Sequence, residues 1–428
     1  MLAITTQALG QSTPSVLRSG RWFKVAVEER GIYKITHDQF RQMGFDSQTD
    51  PRKIKLFGNV GGMLPQANNE SRPADLHENA IYVSGENDGS FDNGDFILFF
   101  AEGPDRVHFD VVREIFAYES NLYSEKNFYF LTVGEEDGLR ITSRATLQGN
   151  FPTVEQYDDY VYHELDQHNI LASGREWFGE RFDLNAQQTI TAEIDGIVEN
   201  STIKVVSDVM GQSYGASSFS VYWNNTLIGD QPLSPIPNTQ YGIKGVHKRD
   251  TIVFSSTAVG AAPTSAQAIK YQFNRAPSGA SNAYLDFFLL NVKRVLKLSG
   301  HQTTFRSAQS LAQPVTSYKI AGVPDNAFLW NITKPYEPQL QEYTRQDHGV
   351  LFSAESDQLQ EYIVADEAIP SPELIGEISN QNIRASNTPQ FLIITHPDFI
   401  SEAQRLAGHR LQHNSWNVAV VTPDQIYN

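Results

Sequence analysis

Hydrophobic and polar residues alternate with a period of two along most of this chain. The runs are short and are separated by glycine, asparagine and aspartate, the pattern of β-strands joined by turns. Between residues 20 and 140, RWFKVAVEE and GIYKI flank a tight turn at Glu29, Arg30 and Gly31 and read as a hairpin. KIKLFGN, AIYVSGE, DFILFFAEG, REIFAYE and NFYFLTVG follow as strands. One short helix interrupts them over His37 to Met43. Asp38 lies near the positive end of its dipole, and Gly44 ends it. From 187 to 305, ITAEIDGIV, STIKVVSDV, SFSVYWNN, DTIVFSS, IKYQFN and AYLDFFLLNVKRVLKL recur at sandwich-like spacing. SYKIAGV, AFLWNIT and EYIVAD add strands between 312 and 385.

The pattern changes after Pro389. Phe391 to Ile394 is an apolar run of buried-strand length. Thr395, Pro397 and Asp398 supply a hydroxyl cap, a proline in the first turn and an acid at the helix N-terminus. Phe399, Ala403, Leu406, Ala407 and Leu411 then share one helical face, and Val418 to Val421 forms a second strand. Strand, crossover helix and strand make a right-handed parallel βαβ unit. The expected fold class is therefore mainly β: tandem β-sandwich-like domains followed by the first βαβ unit of an α/β domain. The expected divisions are a signal remnant or disordered tail (1–18), an N-terminal β domain (19–150), a polar connector (151–186) and a β-sandwich (187–310). A β-rich segment or linker (311–388) and the start of the α/β domain (389–428) complete the chain.

A length of 428 residues suits two to four domains rather than one core. The 50 acidic and 33 basic residues give a net charge of −17, and no stretch gathers Lys and Arg into a stripe. Nucleic acid is thus not an expected partner. No apolar run approaches the ~18 residues of a membrane helix. The nearest, YLDFFLLNV, is broken by Asp286. Cysteine is absent, which removes disulfides, thiolate metal sites and a cysteine nucleophile from these residues.

Four stretches invite a chemical reading. His163 and Glu164 followed by His168 resemble a zinc-protease motif, but a five-residue spacing does not place both histidines on one helical face. His409 and His413 do have i, i+4 spacing, beside the apolar stripe and with no acid as a third ligand, and read as a solvated helix flank. GENDGSFDNGD, Gly85 to Asp95, carries Glu86, Asp88, Asp92 and Asp95. Calcium favours such oxygen clusters, but the spacing is not that of an EF-hand and a hairpin loop explains it. SGREWFGE, from Ser173 to Glu180, reads as an ion-paired domain junction. Trp177 is expected to be at least half buried and Arg175 to pair with a carboxylate; the alternative is a partner-binding epitope. No residue is assigned a catalytic, cofactor-binding or metal-ligating role, and no cofactor is expected.

SVLRSGRWFKVAVEERGIYKIT, KIKLFGNVGGMLP, ENAIYVSGENDGSFDNGDFILFFAEGPD, SGREWFGE, AYLDFFLLNVKRVLKLSG and FLIITHPDFISEAQRLAGHR occur in this order from about residue 15 to the C-terminus. Together they resemble the gingipain-like sortases of the bacterial type IX secretion system, cysteine peptidases of family C25. The resemblance implies an exported protein at the cell surface, associated with the outer membrane. It implies removal of C-terminal sorting domains from secreted cargo and attachment of the cargo to the surface. The implied partners are that cargo and an outer-membrane protein of the secretion system. It also implies that the terminal βαβ unit opens a caspase-like peptidase domain whose catalytic His and Cys follow on later strands. Without a cysteine, no catalytic residue of the family can be placed in this sequence, and the chain reads as a non-catalytic N-terminal region. Two alternatives are a pro-region of a secreted gingipain-like protease and a non-enzymatic adhesion or glycan-binding β protein.

Overall fold

A computed structural model describes residues 14–46, 48–170, 172, 174, 176–261, 265–385 and 388–428. Most of the expected tail (1–18) and Arg175 lie outside the described residues. The architecture is tandem β-sandwiches ending in a βαβ unit, as the alternation predicts.

In the first sandwich a five-stranded antiparallel sheet has the order Glu373–Ile378, Trp22–Val27, Asn127–Val133, Ile54–Gly58, His77–Asn79. A three-stranded sheet of Gly31–Thr36, Phe96–Ala101 and Tyr82–Val83 covers it. Val25, Val27, Leu56 and Leu131 of one sheet meet Ile35, Ile97 and Phe99 of the other. Trp22–Val27 and Gly31–Thr36 are therefore not a hairpin. The first pairs with Asn127–Val133 and Glu373–Ile378, the second with Phe96–Ala101. The turn between them hands the chain from one sheet to the facing one. Alternation reveals which face of a strand is buried, not which strand takes its hydrogen bonds.

The short helix spans His37–Gln42 and buries Phe40. Thr36 and Gln39 form a reciprocal capping box: the Gln39 amide donates to Thr36 Oγ1 at 3.3 Å, and the Thr36 amide to Gln39 Oε1 at 2.9 Å. Gly44 follows with φ of +80°, a conformation that costs glycine no Cβ clash.

The second sandwich packs the sheet Gln156–Glu164, Ser281–Val295, Thr202–Ser213, Val246–Ser255 against Gln187–Glu193, Ala266–Asn274, Ser217–Trp223, Thr226–Leu233. Trp223, Phe219, Val205, Tyr271 and Phe288 are at its centre. The segment expected as a connector contributes to this sheet, because Gln156–Glu164 pairs along its whole length with Ser281–Val295. Its polar composition has a structural use. Asp158 pairs with Lys293 at 2.7 Å and Asp159 with Arg294 at 2.6 Å. Tyr160 and Tyr162 lie against Phe116 and Tyr118 of the Arg106–Glu119 hairpin region.

The third sandwich sets Thr142–Arg144, Gln339–Gln341, Phe328–Asn331, Tyr362–Ala365 and Gln302–Phe305 over Thr153–Val154, Val315–Ala321, Gly349–Glu355 and Thr344–Gln346. Phe305, Tyr318, Phe352 and Tyr362 form its core. A separate apolar cluster joins it to the first sandwich, with Ile32, Leu98 and Phe100 against Trp330, Ile332 and Ile363. This is why Phe96–Ala101 is apolar almost throughout: both of its faces are covered. Beside the cluster, Arg30 pairs with Glu102 at 2.7 Å and with Glu361 at 2.5 Å, and the buried Arg306 also pairs with Glu361. Burial pushes the Arg306 guanidinium down to about 10. The network borders a cavity of about 310 Å³.

At the C-terminus Phe391–Ile394 and Val418–Val421 pair in parallel, joined by the helix Ile400–Asn414. The helix starts differently from the sequence expectation. His396, not Thr395, caps a 3₁₀ turn over Pro397–Phe399, its Nδ1 accepting the Asp398 amide at 3.3 Å. Thr395 instead donates its hydroxyl to the His396 carbonyl. Ala403 is buried, but Phe399, Leu406 and Leu411 of the expected apolar face are exposed, as are Leu392 and Ile394 of the strand. Two parallel strands with open faces are held less firmly than a sandwich. Amide hydrogens of residues 391–428 are expected to exchange with deuterium faster than those of the three sandwiches. Protection equal to that of Thr202–Ser213 would contradict this. No helix is long and apolar enough to cross a membrane, among the described residues.

Candidate functional site

Several of the chemistry-bearing side chains singled out in the sequence are engaged in hydrogen bonds, ion pairs or ring contacts. In the Gly85–Asp95 loop, Asp88 accepts the Ser90 amide at 2.9 Å and Asp95 accepts the Asp92 amide at 2.9 Å. Glu86 pairs with Arg140, and Gly85, Gly89 and Gly94 turn the backbone at positive φ. Asp88 and Asp95 thus tie the loop together, and Glu86 anchors it to Arg140. His163 and His168 lie on or beside a strand, not on a helix. His163 Nε2 is 2.8 Å from Glu180 and its ring stacks on Phe288. His168 bridges to Phe178. His409 and His413 stand side by side with ring centroids 4.3 Å apart.

Of SGREWFGE, the stretch from Trp177 to Glu180 lies against the second sandwich. Trp177 keeps 41% of its surface in solvent and so is just over half buried, as expected, while the adjacent Phe178 is buried almost completely. Phe178 packs with Met210 and Tyr284, and the Gly179 amide donates to the Leu285 carbonyl at 2.9 Å. The motif braces the outer face of this sandwich.

Under that brace three ligand-type side chains converge that no local motif announces. Thr202–Ser213 and Ser281–Val295 pair in register until Asp208 meets Phe287 and Val209 meets Leu285. Asp286 is the extra residue of a β-bulge, which re-aims its side chain. Opposite, Val246–Ser255 sets Arg249 against Asp208 and His247 against Met210. The ligand atoms of Asp208, His247 and Asp286 lie within 4.8 Å of one another, the one such trio among the described residues.

The two oxygens of Asp208 differ. Oδ2 accepts from Arg249 Nε at 2.7 Å, and the guanidinium lies 4.8 Å from the Phe287 ring. Oδ1 is 3.7 Å from His247 Nδ1, too far for a hydrogen bond, and is buried without a hydrogen-bonding partner. Asp208 is 4% exposed. Burial works against its ionisation, but His247 and Arg249 hold its carboxyl below the ordinary value. Burial, then Asp208 and Glu164, push Asp286 up to about 7. Asp208 raises the His247 imidazole above its usual value. Phe178 backs the imidazole, ring to ring at 5.4 Å.

Against known proteins, residues 384–428 match peptidase family C25. The fold is PorU-like: the chain superposes on dimeric latent PorU from Porphyromonas gingivalis with a TM-score of 0.82 and 22% identity, over 97% of its own length. It spans 38% of that PorU chain. A carbohydrate-binding module of family CBM36, solved with calcium and xylotriose, aligns over 30% of this chain and 97% of its own. Its TM-score is 0.20 and its identity 14%, too low to carry an argument. The insecticidal toxin Cry8Ea1 from Bacillus thuringiensis is as distant, with a TM-score of 0.22 and 11% identity over 56% of this chain and 41% of that one. No curated protein matches the chain.

Proposed function

We propose that this chain is the non-catalytic N-terminal region of a type IX secretion sortase. In this reading it is exported to the cell surface and associates with the outer membrane. A C25 cysteine peptidase domain, of which residues 389–428 are the first βαβ unit, removes C-terminal sorting domains from secreted cargo and attaches the cargo to the surface. The observation that carries the reading is the PorU-like fold over nearly the whole chain, reached together with a C25 match confined to its end.

The division of labour follows from chemistry. A cysteine peptidase needs a thiolate activated by a neighbouring base. The chain contains no cysteine, so the sandwiches carry, position and shield rather than cleave. Deleting the gene in its bacterium is expected to leave cargo with its C-terminal sorting domain uncut. The purified 428-residue chain is expected to leave that cargo intact in vitro. Normal cargo processing in the deletion strain would overturn the sortase reading. Cleavage by the purified chain would overturn the assignment of catalysis to the C25 domain.

A further inference from the structure

We propose that Asp208, His247 and Asp286 bind a first-row divalent metal ion, of the zinc type, at the bulge of the second sandwich. Three features converge there. One imidazole nitrogen and two carboxylates from three adjacent strands bring their ligand atoms within 4.8 Å of one another. Asp208 Oδ1 is buried, has no hydrogen-bond partner and lies 3.7 Å from His247 Nδ1. The bulge leaves Asp286 without a cross-strand partner and turns it toward the trio.

The donor set selects the ion. A single imidazole with two carboxylates suits zinc and its neighbours, whereas calcium prefers six or more oxygens. The ligand atoms around a tetrahedral zinc ion stand roughly 3.4 Å apart. Closing from the present spacing takes small side-chain rotations. The His247 side chain, 40% exposed, has room for them. Arg249 holds Asp208 Oδ2 and so fixes the carboxylate with Oδ1 facing the site, as outer partners orient metal ligands. Phe178 fixes the imidazole from behind, and the exposed side leaves room for water as the remaining ligand. In the ligand state, with the imidazole neutral and both carboxylates ionised, two carboxylates against one guanidinium leave a net negative charge that the cation offsets. The ion would pin three strands together where the bulge loosens their ladder.

The test uses the 428-residue chain stripped with EDTA and carrying H409A and H413A, which removes the competing histidine pair of the terminal helix. Titration calorimetry with zinc chloride is expected to show one saturable equivalent, and zinc is expected to raise the melting temperature. D286N and H247A are each expected to weaken binding by at least about tenfold and to remove the zinc-dependent rise. Both positions are partly exposed, so these variants are expected to melt cooperatively without metal. Conversely, H163A is expected to bind as the parent does. No saturable binding, binding unchanged in both D286N and H247A, or saturation by calcium but not by zinc would each overturn the assignment.

Discussion

Replacing Glu361 with alanine is expected to destabilise the protein by about 3–5 kcal/mol, because it leaves a buried arginine without its carboxylate. Arg306 is 8% exposed and Glu361 is its ion-pair partner. Arg30 would keep Glu102, but Arg306 would hold its charge in a setting that already opposes it. The loss falls where the first and third sandwiches meet, so it acts on both. A fall of roughly 10 °C in the thermal midpoint is the expected reading. Glu361→Gln, which keeps the shape and one acceptor, should fall between alanine and the parent. A change below about 1 kcal/mol in Glu361→Ala would mean that water reaches and solvates Arg306.

Trp223→Ala is expected to cost about 3–5 kcal/mol through the cavity it opens at the centre of the second sandwich. The indole is fully buried, lies 5.7 Å from the Phe254 ring and donates from Nε1 to Gln267 Oε1 at 2.9 Å. Trp223→Phe retains most of the volume and gives up that hydrogen bond, so its cost should be about 1 kcal/mol. Urea unfolding of both variants separates packing from hydrogen bonding. Equal losses in the two would show that the hydrogen bond, not the volume, is what the site requires.

The strands, the helix after Thr36 and the terminal βαβ unit were legible in the sequence because each depends on local periodicity. Pairing was not. RWFKVAVEE and GIYKI look like a hairpin because a tight turn joins them, and only the facing core shows that both are walls of one sandwich. QYDDYVYHE reads as a polar connector because its acids are matched by Lys293 and Arg294, far along the chain. The Asp208, His247 and Asp286 trio was hidden for the same reason. Each ligand comes from a different strand, and spacing rules compare near neighbours only. The one local sign was Asp286, a carboxylate inside the largely apolar run YLDFFLLNV. His396 was missed as a cap because a hydroxyl residue precedes it and fits the usual pattern better.

The strand Trp22–Val27 is hydrogen-bonded on one side by Asn127–Val133 and on the other by Glu373–Ile378. The earliest strand of the chain therefore waits for one of the last. As the chain folds, the first sandwich can gather its other walls and its apolar interior from residues before Gly134, but one edge of its larger sheet stays open until Glu373–Ile378 arrives. The closing step joins residues of very large sequence separation, the kind of contact that slows folding. The three sandwiches then do not mature strictly in chain order. The first to begin is among the last to finish, and its completion marks the moment at which the chain from Trp22 to Ile378 becomes a single closed unit.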